Sequence, residues 1–99
     1  MSKTVFIKDT GTAGKDRTRD FYGFFLGVIR EKGLENEVIP VRVADIGLYN
    51  QGVVVRVVPD NFVYTRVEES DVSLIVDSIK TGEPYSAKQV KPVSKQLRI

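Results

Sequence analysis

Residues Val53-Val54-Val55-Arg56-Val57-Val58 constrain the fold of this chain more than any other stretch. Valine branches at Cβ, which stiffens χ1 and favours the pleated backbone over the helix. The run does not alternate polar with apolar residues, so it reads as an inner strand buried on both faces rather than a strand with one face in water. A sheet with material on both sides is therefore required. Pro59-Asp60-Asn61 is a tight-turn sequence, and Phe62 to Val67 (Phe-Val-Tyr-Thr-Arg-Val) alternates as the returning, half-exposed arm of a hairpin.

The remaining elements must supply neighbours for that hairpin. Thr4 to Lys8 is β-branched and aromatic and runs into Asp9-Thr10-Gly11-Thr12-Ala13-Gly14, a strand followed by a tight loop. From about Arg17 to Lys32, Phe21, Tyr22, Phe24, Phe25, Leu26, Val28 and Ile29 recur at helical spacing, and Gly33 supplies a stop. At 100° per residue these side chains cover an arc of about 200°, wider than one core-facing stripe. Tyr22 and Phe24 either lie over the sheet edge or face a partner. Glu37 to Val43 reads as a second strand and Asp45 to Gln51 as a loop. Ser70 is placed to cap a second helix with an apolar stripe of Val72, Ile75, Val76 and Ile79; Glu68, Glu69 and Asp71 suit its first turn and Gly82 its stop. The segment from Pro84 to Ile99 carries Lys88, Lys91, Lys95 and Arg98 and no acid, and reads as an extended basic arm. The expected order is β-α-β-β-β-α: an α/β domain over 1–85, a four-stranded mixed sheet with two helices packed on it, followed by a basic tail over 86–99.

The chain has 99 residues, no cysteine and no histidine. Disulfides, thiolate nucleophiles, zinc–thiolate sites and thiolate-held iron–sulfur clusters are excluded, and the usual neutral-pH base is absent. Neither the net charge of +2 nor the pI near 9.0 identifies a partner, since a nucleic-acid binder concentrates a larger excess on one face. No stretch approaches the roughly 18 apolar residues of a membrane span, and Met1-Ser2-Lys3-Thr4 leads into a strand without a signal-like apolar region, so a cytoplasmic chain is expected.

Gly11-Thr12-Ala13-Gly14-Lys15, between strand and helix and followed by Arg17 and Arg19, has the composition of a phosphate cradle. The spacing does not match a Walker loop: Asp9 stands where the first glycine is required, and Asp16 where serine or threonine would bind magnesium. A small anion- or nucleotide-binding regulatory protein using Gly11 to Arg19 is retained as the alternative reading. Tyr64 and Tyr85 have no base beside them in sequence, so no enzyme activity is expected and no catalytic residue is assigned.

Thr10-Gly11-Thr12, Lys32-Gly33-Leu34-Glu35, Gly47-Leu48, the Phe62–Val67 segment leading to Asp71-Val72, and Ile79-Lys80-Thr81-Gly82-Glu83-Pro84 occur in an order that resembles a known family. It is the thioredoxin-like 2Fe-2S ferredoxin domain, found as the small subunit and as the N-terminal domain of the flavoprotein subunit in NADH dehydrogenases and NAD(P)-linked hydrogenases. The resemblance spans Val5 to Val90 and implies the thioredoxin-like ferredoxin fold. That family holds its cluster with two cysteines in each of two loops. The corresponding positions are Asp9 and Gly14 (or Ala13) in the first loop, and Asp45 and Tyr49 in Asp45-Ile46-Gly47-Leu48-Tyr49. Glycine and alanine offer no ligand, and Asp and Tyr are hard oxygen donors. The resemblance implies a scaffold without cofactor or metal: a noncatalytic accessory subunit docking on a flavoprotein or iron–sulfur subunit of a redox complex, with no nucleic acid and no membrane insertion. Its expected contacts are Tyr22, Phe24, Lys88, Lys91, Lys95 and Arg98, with the loop from Ala44 to Gly52. A homodimer pairing through the aromatic helix is a compatible further reading.

Overall fold

A computed structural model of the chain describes residues 2–11 and 15–90. The elements are β1 (Lys3–Asp9), α1 (Thr18–Glu31), β2 (Val38–Arg42), β3 (Val53–Val58), β4 (Phe62–Tyr64), α2 (Glu69–Thr81), a short 3-10 turn (Ser86–Lys88) and β5 (Gln89–Val90). The strands form one mixed sheet in the order β2-β1-β3-β4-β5. β1 and β2 are parallel and joined by α1, while β1 with β3, β3 with β4 and β4 with β5 are antiparallel.

The valine run is the inner strand its composition requires. Val53, Val55 and Val57 face the main core with Val5 and Ile7 of β1, Phe21, Phe25 and Ile29 of α1, and Val72, Ile75, Val76 and Ile79 of α2. Val54 faces the other way with Val63 and is covered by Ile46 from the following loop. Both helices therefore share one face of the sheet, and a loop covers part of the other. α1 touches the sheet and α2 together, so it has two surfaces to fill. This explains its wide apolar arc: Phe21, Phe25 and Ile29 are buried, and Tyr22, Phe24 and Val28 pack half-buried against the same core.

The sheet has five strands where four were expected. Gln89 and Val90 pair with Tyr64 and Val63. Two residues are too few to show a period, and contacts distant in sequence hold them: Thr65 N–H donates to the Lys88 carbonyl at 3.1 Å, and Tyr85 N–H to the Tyr64 hydroxyl at 3.1 Å. The basic segment thus begins in the sheet, and residues 91–99 lie outside the described residues. β4 is shorter than its alternation suggests, because Arg66 takes a left-handed φ of 51° that turns the chain toward α2.

α2 is capped by Glu68 rather than Ser70. The N-cap Glu68 is extended at φ −105° and ψ 165°, and its N–H donates to the Asp71 carboxylate at 2.8 Å, a reciprocal arrangement that leaves Ser70 exposed in the first turn. At the other end Gly82 is left-handed at φ 84°, and its N–H donates to the Ser78 carbonyl at 2.9 Å. Glycine adopts this conformation freely, whereas a side chain adds local backbone strain, so Gly82→Ala is expected to lower stability by about 1 kcal/mol, read as a shift in the urea midpoint.

β2 forms one edge of the sheet. Lys3 N–H donates to the Glu37 carbonyl and Val43 N–H to the Ile7 carbonyl, so the odd-numbered residues of this segment direct their amides toward β1. Pro40, in the middle of β2, therefore directs its hydrogen-free nitrogen outward. No helix among the described residues is long and apolar enough to cross a membrane.

Candidate functional site

Where β1 and β2 end, the loop after Asp9 meets the loop of residues 43–52. Thr10 joins them: its N–H donates to the Gly52 carbonyl at 2.7 Å, its carbonyl accepts from Asn50 N–H at 2.9 Å, and its hydroxyl donates to the Gly52 carbonyl at 2.8 Å and accepts from Gln51 N–H at 2.9 Å.

Each loop is also closed by its own carboxylate. Asp9 is buried, accepts from Gly11 N–H and Arg17 N–H, both at 2.9 Å, and lies 3.5 Å from Arg17 Nε. Burial alone would raise its pKa, but these two amides and the guanidinium outweigh it and hold the carboxyl below the ordinary range. Asp16 accepts from the Thr18 hydroxyl at 2.6 Å, from Thr18 N–H at 2.9 Å and from Lys8 at 2.9 Å, and is likewise held low, chiefly by the Thr18 hydroxyl. In the second loop Asp45 accepts from Gly47 N–H at 2.8 Å and from the Tyr49 hydroxyl at 3.2 and 3.3 Å.

These residues do not fit a 2Fe-2S cluster, which requires four soft donors converging on two irons. Asp9 turns its oxygens to amides of its own loop, Asp45 and Tyr49 engage each other, and Gly14 has no donor side chain and lies outside the described residues. No group of three or more carboxylates among the described residues is arranged to hold a metal ion. Anaerobic incubation with iron and sulfide is expected to leave the purified protein without the visible absorption of a 2Fe-2S centre.

The same contacts bear on the loop from Gly11 to Arg19. Among the described residues leading into α1, the Gly11 and Arg17 amides are taken by Asp9 and the Thr18 amide by Asp16, Lys15 pairs with Asp20 at 3.6 Å on the surface, and Thr12, Ala13 and Gly14 lie outside the described residues. Two recesses open beside the joined loops. One, of about 180 Å³, is lined by Ile46, Leu48 and Tyr49 with Lys8, Thr10 and Asp45; the other, an open cleft of about 510 Å³, is lined by Lys8, Asp16, Arg19 and Arg42. Arg42 belongs to no sequence motif; the parallel crossover from β1 through α1 to β2 is what brings it beside the end of β1.

The residues expected to contact a partner are dispersed. Tyr22 lies under the Arg42 guanidinium, 5.3 Å from the ring centre, while Phe24 packs edge-on against Phe21 at 5.1 Å and faces the start of α2 beside Glu68. Lys88 donates to the Arg66 carbonyl at 3.0 Å and pairs with Asp71 at 3.3 Å at another end of the sheet. Lys91, Lys95 and Arg98 lie outside the described residues.

No family model matches the sequence, and no curated protein matches it. Solved structures do. The wild-type thioredoxin-like 2Fe-2S ferredoxin from Aquifex aeolicus superposes with a TM-score of 0.78 at 24% identity, covering 92% of this chain and 98% of that one. A cysteine-to-serine variant of it gives 0.77 at 24%, covering 91% and 99%. Another structure of a thioredoxin-like 2Fe-2S ferredoxin from the same organism gives 0.76 at 25% identity, covering 92% and 94%. The chain thus has the thioredoxin-like ferredoxin fold, and it contains no cysteine.

Proposed function

We propose that this chain is a cluster-free ferredoxin-fold subunit with a structural, docking or assembly role in a multi-subunit redox complex of the NADH dehydrogenase or hydrogenase type. The observation that carries this reading is the closure of both loops by their own side chains. Asp9 and Asp45 fasten the described parts of the two loops from within, by accepting from amides of their own loops. A scaffold that keeps its shape while lacking soft donors fits a contact role better than an electron-transfer role.

The test is a tagged copy expressed from its own locus, with the redox complexes isolated in parallel from a deletion strain. A flavoprotein or iron–sulfur subunit is expected to co-purify in defined ratio, and the deletion is expected to lower the amount of assembled complex. If the chain is recovered alone and its deletion leaves those complexes intact and active, this function is wrong.

A further inference from the structure

The two recesses at the loop end lie side by side, with Lys8 and Ala44 lining both, and together make one composite surface. Its halves differ in chemistry. The smaller is largely apolar, walled by Ile46 and Leu48, with Tyr49 standing 59% exposed at its rim. Asp45 restrains Tyr49 through the hydroxyl, and a restrained aromatic loses less rotamer freedom when something packs on it. The larger half is cationic. Lys8 is paired with Asp16, and Asp45 accepts from its own loop, whereas Arg19 and Arg42 have no carboxylate partner among the described residues. Arg42 is held over the Tyr22 ring, which orients its guanidinium in advance.

We propose that this composite surface is the seat of an acidic segment of a partner protein, with an apolar side chain entering beside Leu48 and Tyr49 and neighbouring carboxylates reaching Arg19 and Arg42. Charge complementarity selects the partner: guanidinium groups pair planar carboxylates with two donors each, and a like-charged segment is repelled. The apolar hollow lying next to the cleft selects a peptide over a free oxyanion, since an inorganic ion would leave the hollow unused. The inference rests on the docking reading above and names the surface and the kind of segment it grips. It also gives Tyr22 a part other than direct contact, as the platform for Arg42.

The test titrates the 15N-labelled full chain with three probes: the peptide acetyl-Glu-Asp-Leu-Phe-Glu-Asp-amide, the same peptide with every acid replaced by its amide, and inorganic phosphate. Saturable shifts are expected for the acidic peptide at residues 8–10 and 42–49, with a Kd of about 0.1–1 mM. Binding is expected to weaken about tenfold with the amide peptide and with Arg19→Glu/Arg42→Glu, severalfold with Tyr49→Ala, and progressively with added salt. Arg19→Gln/Arg42→Gln, which removes charge without reversing it, is expected to give an intermediate loss in a protein with an unchanged spectrum elsewhere. The proposal is overturned if the acidic peptide gives no saturable shift, if the arginine variants bind it as the parent does, or if phosphate alone produces the same shifts at equal affinity. Co-purification with a redox complex that survives Arg19→Glu/Arg42→Glu and Tyr49→Ala refutes this surface and leaves the docking role standing. Acidic-peptide binding in a chain that joins no complex supports the surface and refutes the role.

Discussion

Phe25→Ala is expected to lower the unfolding free energy by about 4 kcal/mol, measured by urea denaturation followed by circular dichroism. Phe25 has no exposed surface and sits where α1 meets both the sheet and α2, so its removal leaves a cavity that two layers would have to shift to fill. Against the roughly 5–15 kcal/mol of a typical domain this loss is large, and Phe25→Leu, expected to cost about 1.5 kcal/mol, keeps the comparison measurable if the alanine variant does not fold. Phe24→Ala is the internal control. Its ring is half-buried against Phe21, so the expected cost is about 1 kcal/mol. If the two alanine variants cost the same, the division of the aromatic arc into core and flank is wrong.

Asp71→Ala is expected to cost about 3 kcal/mol and to release the end of the sheet. Asp71 is 5% exposed, and its carboxylate accepts from Glu68 N–H at 2.8 Å and from the Tyr85 hydroxyl at 2.8 Å, with the Lys88 ammonium 3.3 Å away. One side chain therefore closes the start of α2 and anchors the segment that leads to β5. Faster amide exchange at Gln89 and Val90 than in the parent is expected; unchanged exchange there would refute the anchoring role. Burial works against ionisation of Asp71, but the Glu68 amide, the Tyr85 hydroxyl and Lys88 prevail, and its pKa is lowered on folding. A carboxyl whose folded pKa lies below its unfolded value contributes its full stabilisation above the unfolded value, about pH 4, and loses it as pH falls through the folded one. Asp9 has the same sign. The parent should therefore lose stability below about pH 4 more steeply than Asp71→Ala, which lacks one of the two groups.

Patterns of short range were legible in the sequence. The valine run, the hairpin turn, the 3.6-residue stripes of both helices and the stop at Gly82 all announce themselves within a dozen residues. What depended on distant contacts was not. Gln89 and Val90 become a strand through Tyr64, Thr65 and Asp71, and Glu68 displaces Ser70 as the cap through a reciprocal bond with Asp71. The site divides in the same way. The absence of soft donors at Asp9, Asp45 and Tyr49 can be read directly, whereas the meeting of Arg19 with Arg42 depends on the parallel crossover, and the seat of Arg42 on Tyr22 depends on which flank of α1 faces β2.

Pro40 has a consequence for the edge that β2 presents. A neighbouring strand adding to β2 would meet a pyrrolidine ring and a missing donor at the centre of that edge. Sheet extension is disfavoured there, for copies of this chain as much as for a foreign strand. A contact at this edge is then left to side chains, which can be released one at a time without unzipping a shared backbone ladder.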